Sequence, residues 1–321
     1  MRSYQVTRFD VAPTLQDKPV PTPGAGMIRV KIMACGLNFA DLLMCQGKYQ
    51  DTPKPPFTLG MEVAGVVDAL GPDTDGPAVG SRVAVFGGQG GLAEYGCFPA
   101  NRAVLLPDDM SFDDAAALQI AYGTSHLALD YKARLQPGET LLVLGAAGGV
   151  GLTAVEIGHA MGAKVIACAR GAEKLEVARR AGADHLIDAA SEDIRERVRA
   201  LGGADVVYDP VGGDQFKAAF RACNPEARLL PIGFASGDVP QIPANHLLVK
   251  NLTVMGLYWG GYLAFKPEVV TDSLATLLSW HREGRIKPHV SHALPLAQAG
   301  DGLELLRSRK STGKVVIRPH E

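Results

Sequence analysis

The spacing of apolar positions changes character twice along the chain. Up to about residue 115, short apolar runs at 27–33, 62–69, 82–86 and 103–106 alternate with Pro, Gly and Asp turns, which predicts a small domain built from strands. A helical run at 112–131 leads through Pro137 and Gly138 into a different texture. There an apolar strand at 141–144 feeds a glycine turn, and then a helix whose apolar positions Val150, Ala154, Val155 and Ile157 recur at helical spacing as far as Gly162. A second strand at 164–168, a charged helix at 173–181 with Glu176 four residues before Arg180, and a third strand at 184–187 follow. Strand, helix, strand, helix, strand within about 50 residues is half of a doubly wound parallel sheet.

The same rhythm continues with a helix at 192–201 capped by Ser191, a strand at 204–210, a helix after Asp214, a strand at 227–233 and an apolar run at 252–259. Those runs suffice for six strands. The tail then changes again: a helix at 267–285 with Val270, Leu274, Leu277 and Leu278 on one face, a strand near 290–294, a helix at 296–307 and a strand at 314–318. Because the sheet is already full, the tail is expected to return to the first domain. The organisation predicted is therefore 1–122 with 268–321 as one domain and 123–267 as an insertion, with the active site where the two meet.

The turn after the first strand of the insertion carries candidate chemistry. Ala146, Gly148 and Gly151 stand in the places of a GxGxxG fingerprint, with alanine in place of the first glycine. Gly148 and Gly151 remove side chains that would block a pyrophosphate, and the free amides and dipole at a helix start attract phosphate. The plainer reading is a glycine turn of another α/β fold, which the strand and helix order around it disfavours. At the end of the second strand an NAD site usually places Asp or Glu for the ribose 2′-OH. This chain has Ala169, Arg170 and Gly171 there, with Arg170 19 residues past Gly151 and Lys174 one turn into the next helix. Two cations suit a 2′-phosphate, so the expected cofactor is NADPH rather than NADH. The alternative is that both are solvated surface cations.

Composition narrows the partners. A net charge of −2 and 6% aromatic residues leave no basic, aromatic-rich footprint, so no nucleic-acid partner is expected. The longest uncharged apolar run, 140–155, is already explained as strand and turn, and residues 1–13 lack an apolar signal core, so no membrane association is expected. Five dispersed cysteines without a CxxC pair read as free thiols, which suits a cytoplasmic place.

With these pieces in place the chain resembles the medium-chain dehydrogenase/reductase superfamily, and within it the zinc-independent NADPH:quinone oxidoreductase family. The resemblance runs essentially the whole length, carried by GLNFADLLMCQGKY at 36–49, LGMEVAGVV at 59–67, the AAGGVG turn, NLTVMGLYWGGY at 251–262 and TGKVVI at 312–317. It implies an α/β fold, a Rossmann doubly wound parallel sheet inserted in a GroES-like β-barrel domain, and a homodimer with the run 252–259 as a plausible dimer edge. Zinc alcohol dehydrogenases share that architecture and carry metal ligands near Asn38, Met61 and Ile120. Amide, thioether and aliphatic groups do not replace thiolate and imidazole, and the carboxylates of Asp41 and Glu62 alone make a poor zinc site. His289 and His292 lie in a run that reads as strand or loop, where they are ordinary surface histidines rather than ligands. No metal site is therefore expected.

Without a Lewis acid, the acceptors that suit hydride transfer are quinones and conjugated enones, whose incoming charge delocalises onto an oxygen that one or two hydrogen bonds can hold. The candidate donors are Tyr49 and Asn38, each of which could instead pack or cap a turn. On the cofactor side the resemblance implies Thr124 at the phosphate or nicotinamide end, Gly148, Gly149 and Val150 at the pyrophosphate, and Gly233, Phe234, Leu257 and Tyr258 beside the nicotinamide. Lys314 is expected to reach a ribose or phosphate. Asp188 and Ala189 stand where similar enzymes often carry a Tyr near the adenine. The function expected is an NADPH-dependent reductase of quinones or other conjugated carbonyls, acting without metal or flavin. An enoyl-thioester or alkenal double-bond reductase, and a non-catalytic NADPH-binding protein, remain as alternatives.

Overall fold

The computed structural model describes residues 1–321 as two compact units, Met1–Ile120 with Pro288–Glu321 and, inserted in that chain, Ala121–Lys287. In the first unit, a mixed sheet runs in the order Val290–Pro295, Lys314–Arg318, Met27–Gly36, Glu62–Leu70, Arg82–Phe86, Ala103–Leu105, with Tyr95–Pro99 also paired to Met27–Gly36. Alternation explains its long strand: Ile28, Val30, Ile32 and Ala34 are fully buried while the residues between them are less so. Each of the larger three contributes about 1.5–3 kcal/mol by leaving water. A smaller sheet joins Arg2–Val6 to Thr14–Asp17 and Phe57–Thr58.

Register is what matters for chemistry here. Gly36 pairs with Glu62 on one side and with Val316 on the other, so the segments carrying Asn38, Glu62 and Lys314 converge at one end of the sheet. A Cβ on Gly36 would lie 2.2 Å from the carbonyl oxygen of Ala116, so only glycine lets the helix Phe112–His126 approach this corner.

The second unit is a six-stranded parallel sheet in the order His185–Asp188, Lys164–Ala169, Thr140–Leu144, Ala204–Asp209, Cys223–Pro231, Thr253–Val254. The first strand of the insertion is central and buried on both faces, as its unbroken apolar run requires. Its helix is Gly149–Ala160.

Several boundaries differ from expectation. The chain crosses into the second unit at 120/121 and leaves it at 287/288, not at 268. The helix Pro267–Arg282 stays with the second unit because it buries Val270, Leu274 and Leu277 there, with the hydroxyl of Ser273 2.9 Å from His126 Nδ1 and Trp280 edge-on to that imidazole. The expected helix 112–131 is an α-helix only to His126 and continues as a wider π-type turn, Leu127–Lys132. The expected strand 252–259 shortens to Thr253–Val254, since the chain leaves the sheet at Gly256 and turns into the helix Trp259–Phe265. The helix expected at 192–201 runs Ile194–Ala200 and is capped by the Asp193 carboxylate, which accepts from Glu196 N, rather than by Ser191. No helix is long and apolar enough to cross a membrane.

Candidate active site

The glycine turn is open where a phosphate would sit and closed where the helix meets the sheet. Gly145, one residue earlier than the fingerprint predicts, takes the tight turn with φ of +58°. Ala146, standing in the first-glycine place, is fully buried and donates its amide to Cys168 O at 3.0 Å. A Cβ on Gly151 would lie 2.2 Å from Gly145 O, so this glycine serves close packing of helix on strand. Gly148 is different. Its virtual Cβ has nothing nearer than 3.4 Å and the residue is exposed, so packing alone does not explain a glycine there. No side chain caps the helix, and its first backbone bond runs from Leu152 N to Gly148 O, which leaves the amides of Gly149, Val150 and Gly151 ahead of the ladder.

Behind this turn stands a buried hydroxyl cluster that the sequence did not announce. Ser125 Oγ donates to Val150 O at 3.0 Å and lies 2.8 Å from both Thr153 Oγ1 and Tyr208 Oη. Burial pushes the Tyr208 phenol well up, so it stays protonated and can donate. Thr124, the residue expected to meet the cofactor, is buried beside Ser125 in the same helix.

The other expected cofactor residues lie in the same unit. Arg170 is exposed at the end of its strand and has no ion pair within 4 Å. Lys174 sits half-buried in the first turn of the helix Ala172–Arg180. Gly233 and Phe234 follow the fifth strand, Phe234 being 42% exposed. Leu257 and Tyr258 are half-buried past the sixth strand, and Tyr258 precedes the helix Trp259–Phe265. All four stand beyond the carboxyl ends of strands, where ligands of such sheets are met.

In the first unit the structure brings together Asn38, Asp41, Glu62 and Lys314. Lys314 Nζ donates to Leu37 O, Asn38 Oδ1 and Glu62 Oε1, each at 2.8 Å, with Lys314 3% and Glu62 0% exposed. Asn38 Nδ2 donates to Glu62 Oε1 at 2.8 Å and Gly36 O at 3.3 Å. Glu62 Oε2 accepts from Ile120 N, while Asp41 accepts from Asn38 N and Gly60 N. Burial pushes the Asp41 carboxyl up to about 7, although both amides and the Lys314 charge oppose it.

Two expectations change. Lys314 does not reach a ribose or phosphate, because all three of its protons are committed inside this cluster. Asn38 is not a free donor to substrate, because both amide hydrogens and its oxygen are engaged there. The cluster also decides the metal question by its donor set. The places of zinc ligands hold Asn38, a buried Met61 thioether and the Ile120 side chain; of the two nearby carboxylates, Glu62 already binds the Lys314 ammonium and Asp41 accepts from two backbone amides, so these residues do not fit a zinc ion. Tyr49 stands apart. It is half-buried against the core of the first unit, and its backbone is fixed by the Thr52 hydroxyl.

Comparison with known proteins places this architecture. Residues 149–278 match the family described as zinc-binding dehydrogenase, and residues 24–108 match the alcohol dehydrogenase GroES-like domain. The quinone oxidoreductase-like protein 2 homolog of Nematostella vectensis is 42% identical over 300 residues, covering 92% of this chain and 82% of that protein. The quinone oxidoreductase of Thermus thermophilus, solved also in complex with NADPH, superposes with a TM-score of 0.88 at 35% identity over 99% of this chain and 100% of that one. The Escherichia coli quinone oxidoreductase complexed with NADPH gives 0.91 at 29% identity, with 99% and 100% covered. The chain belongs to the zinc-independent quinone oxidoreductase family of the medium-chain dehydrogenase/reductases and, as such, is an oxidoreductase with a GroES-like domain and a Rossmann domain.

Proposed function

We propose that the protein is an NADPH-dependent reductase of quinones or other conjugated carbonyls. The observation that carries this reading is the open turn at Gly145–Gly151, with uncapped amides at Gly149 and Val150, together with the unpaired Arg170 guanidinium on the next strand. Gly148, Gly149 and Val150 would hold the pyrophosphate, Arg170 and Lys174 the 2′-phosphate, and Gly233, Phe234, Leu257 and Tyr258 the nicotinamide end. The bound cofactor supplies a hydride. The hydroxyls of Ser125, Thr153 and Tyr208 hold the turn rigid from behind, so its amides are oriented before phosphate arrives. Tyr49 is the residue we assign to donate a hydrogen bond to the acceptor's oxygen as negative charge builds on it. Asn38, held with Glu62 by Lys314, serves the fold of its own unit rather than the acceptor.

The relatives named as quinone oxidoreductases, and those solved with NADPH, support this reading. We further propose a homodimer. The edge strand Thr253–Val254 pairs on one side only, and the helix Ala244–Lys250 beside it buries no residue while exposing 78% of Leu248 and 75% of Val249. A cytoplasmic place suits five free thiols.

The test is NADPH oxidation against a panel of quinones, alkenals and enoyl thioesters. Saturable turnover of quinones is expected. Turnover confined to alkenals or enoyl thioesters would reassign the substrate, and silence across the panel would overturn the enzymatic reading. Light scattering of the purified protein is expected to give twice the chain mass, falling to one chain in Leu248→Glu.

A further inference from the structure

The helix that follows Arg170 starts without a side-chain cap of its own. Gly171, next in sequence, adopts φ +85° and ψ 151° and opens the helix Ala172–Arg180 with no side-chain cap. A Cβ there would meet nothing within 4 Å, so backbone conformation rather than space selects glycine. What fixes this peptide is a carboxylate from the neighbouring strand. Parallel register sets Ala169 opposite Asp188, and Asp188 Oδ1 accepts from Gly171 N at 3.1 Å and from Ala190 N at 2.9 Å. Those amides, with the Ser191 hydroxyl, hold the Asp188 carboxyl below the usual carboxylate range, so it is ionised at neutral pH and both bonds are charge-assisted.

The position of this acid is informative. In sites that take an unphosphorylated ribose, an acid at the end of the second strand accepts the 2′-OH. Here that end has Arg170, and the acid stands one strand over with an oxygen turned to backbone. The other nearby carboxylate is committed too: Glu192 accepts from Asp188 N at 2.8 Å and pairs with Arg197 at 2.6 Å. Neither neutralises Arg170, whose guanidinium is left for an external anion.

We propose that Asp188 is a specificity-determining positioning residue which, by anchoring the Gly171 amide, holds Arg170 where the 2′-phosphate of NADPH is met. The inference rests on the NADPH reading above. Its role is indirect: Asp188 touches backbone, and Arg170 touches ligand.

The experiment compares KM for NADPH and for NADH, with Tm, in wild type, Asp188→Ala, Asp188→Asn, Arg170→Ala and the Asp188→Ala/Arg170→Ala double variant. Asp188→Ala is expected to raise KM for NADPH about tenfold and leave KM for NADH unchanged. Asp188→Asn, which keeps an oxygen acceptor, is expected to restore most of the difference. The double variant should be no worse than Arg170→Ala alone, because the two residues act through one contact. Should Asp188→Ala not fold, Asp188→Ser, too short to reach Gly171 N, takes its place. An equal shift for both cofactors in Asp188→Ala, or none for either, while Arg170→Ala loses its NADPH preference, would overturn the proposal and leave the NADPH reading standing. An Arg170→Ala enzyme with its NADPH preference intact would overturn both.

Discussion

Two polar regions of this molecule are built on opposite terms. At the glycine turn, amides at a helix start have no partner within the protein, a glycine occupies an exposed position that packing does not require, and a guanidinium one strand away is unpaired. In the Lys314 cluster the side-chain donors and acceptors are matched to one another around buried Lys314 and Glu62, with three 2.8 Å bonds on one ammonium. A region waiting for a ligand leaves its hydrogen-bonding capacity open, whereas a region that holds the fold closes it. The presence of a charged, buried constellation is therefore no sign of chemistry by itself.

The sharpest break between the two regions is in stability. Lys314→Met leaves the fully buried Glu62 carboxylate without its cation and is expected to cost about 3–5 kcal/mol in denaturant unfolding. Adding Glu62→Gln should recover part of that loss, because the unpaired charge is then gone. A Lys314→Met protein as stable as wild type, with weakened cofactor binding instead, would move Lys314 back to the ligand side.

Next come the two glycines of the turn. Gly151→Ala drives a methyl group into Gly145 O and should lower both Tm and cofactor affinity. Gly148→Ala has room for its methyl in the free protein, so Tm should hold while KM for NADPH rises about tenfold or more. Equal effects of the two on Tm would show that Gly148 serves packing after all.

The remaining effects concern Tyr49 and the pH dependence set by Asp41. Tyr49→Phe removes a single donor, so kcat on quinones should fall about tenfold with KM for NADPH unchanged, read in steady-state assays. Asp41 has its carboxyl raised from 3.8 to about 7 in the folded protein. Between those values the native state holds a proton that the unfolded state has released, so stability falls as pH rises across this window. The slope is at most about 1.4 kcal/mol per pH unit. Asp41→Asn should flatten it in unfolding measured from pH 4 to pH 8.

Much of the fold was legible because periodicity is local information. The apolar strand, glycine turn and helix at 140–160, and the alternation after it, define a parallel sheet without any long-range knowledge. The position of Arg170 just past the second strand was legible for the same reason, since it is found by counting from the glycines. The Lys314 cluster was not. Its bonds join residues 252 to 277 positions apart, and a lysine opening a terminal strand looks like any surface cation until the register Gly36↔Val316 brings it under Asn38. The Ser125, Thr153 and Tyr208 hydroxyls lie on three separate elements with no spacing in common. Gly145 escaped notice because the fingerprint counts from Ala146, while the backbone assigns positive φ one residue sooner. The helix Pro267–Arg282 was given to the wrong unit because amphipathic spacing shows that a face is buried, not what covers it.

The central claim is that the open turn and Arg170 together hold a dinucleotide bearing a 2′-phosphate. Equilibrium titration of wild type and Arg170→Ala with NADPH and with NADH tests it most directly. Wild type should bind NADPH at least about tenfold more tightly than NADH, with that preference lost in Arg170→Ala and NADH affinity unchanged. Equal affinities in wild type, or a preference that survives the loss of Arg170, would contradict it.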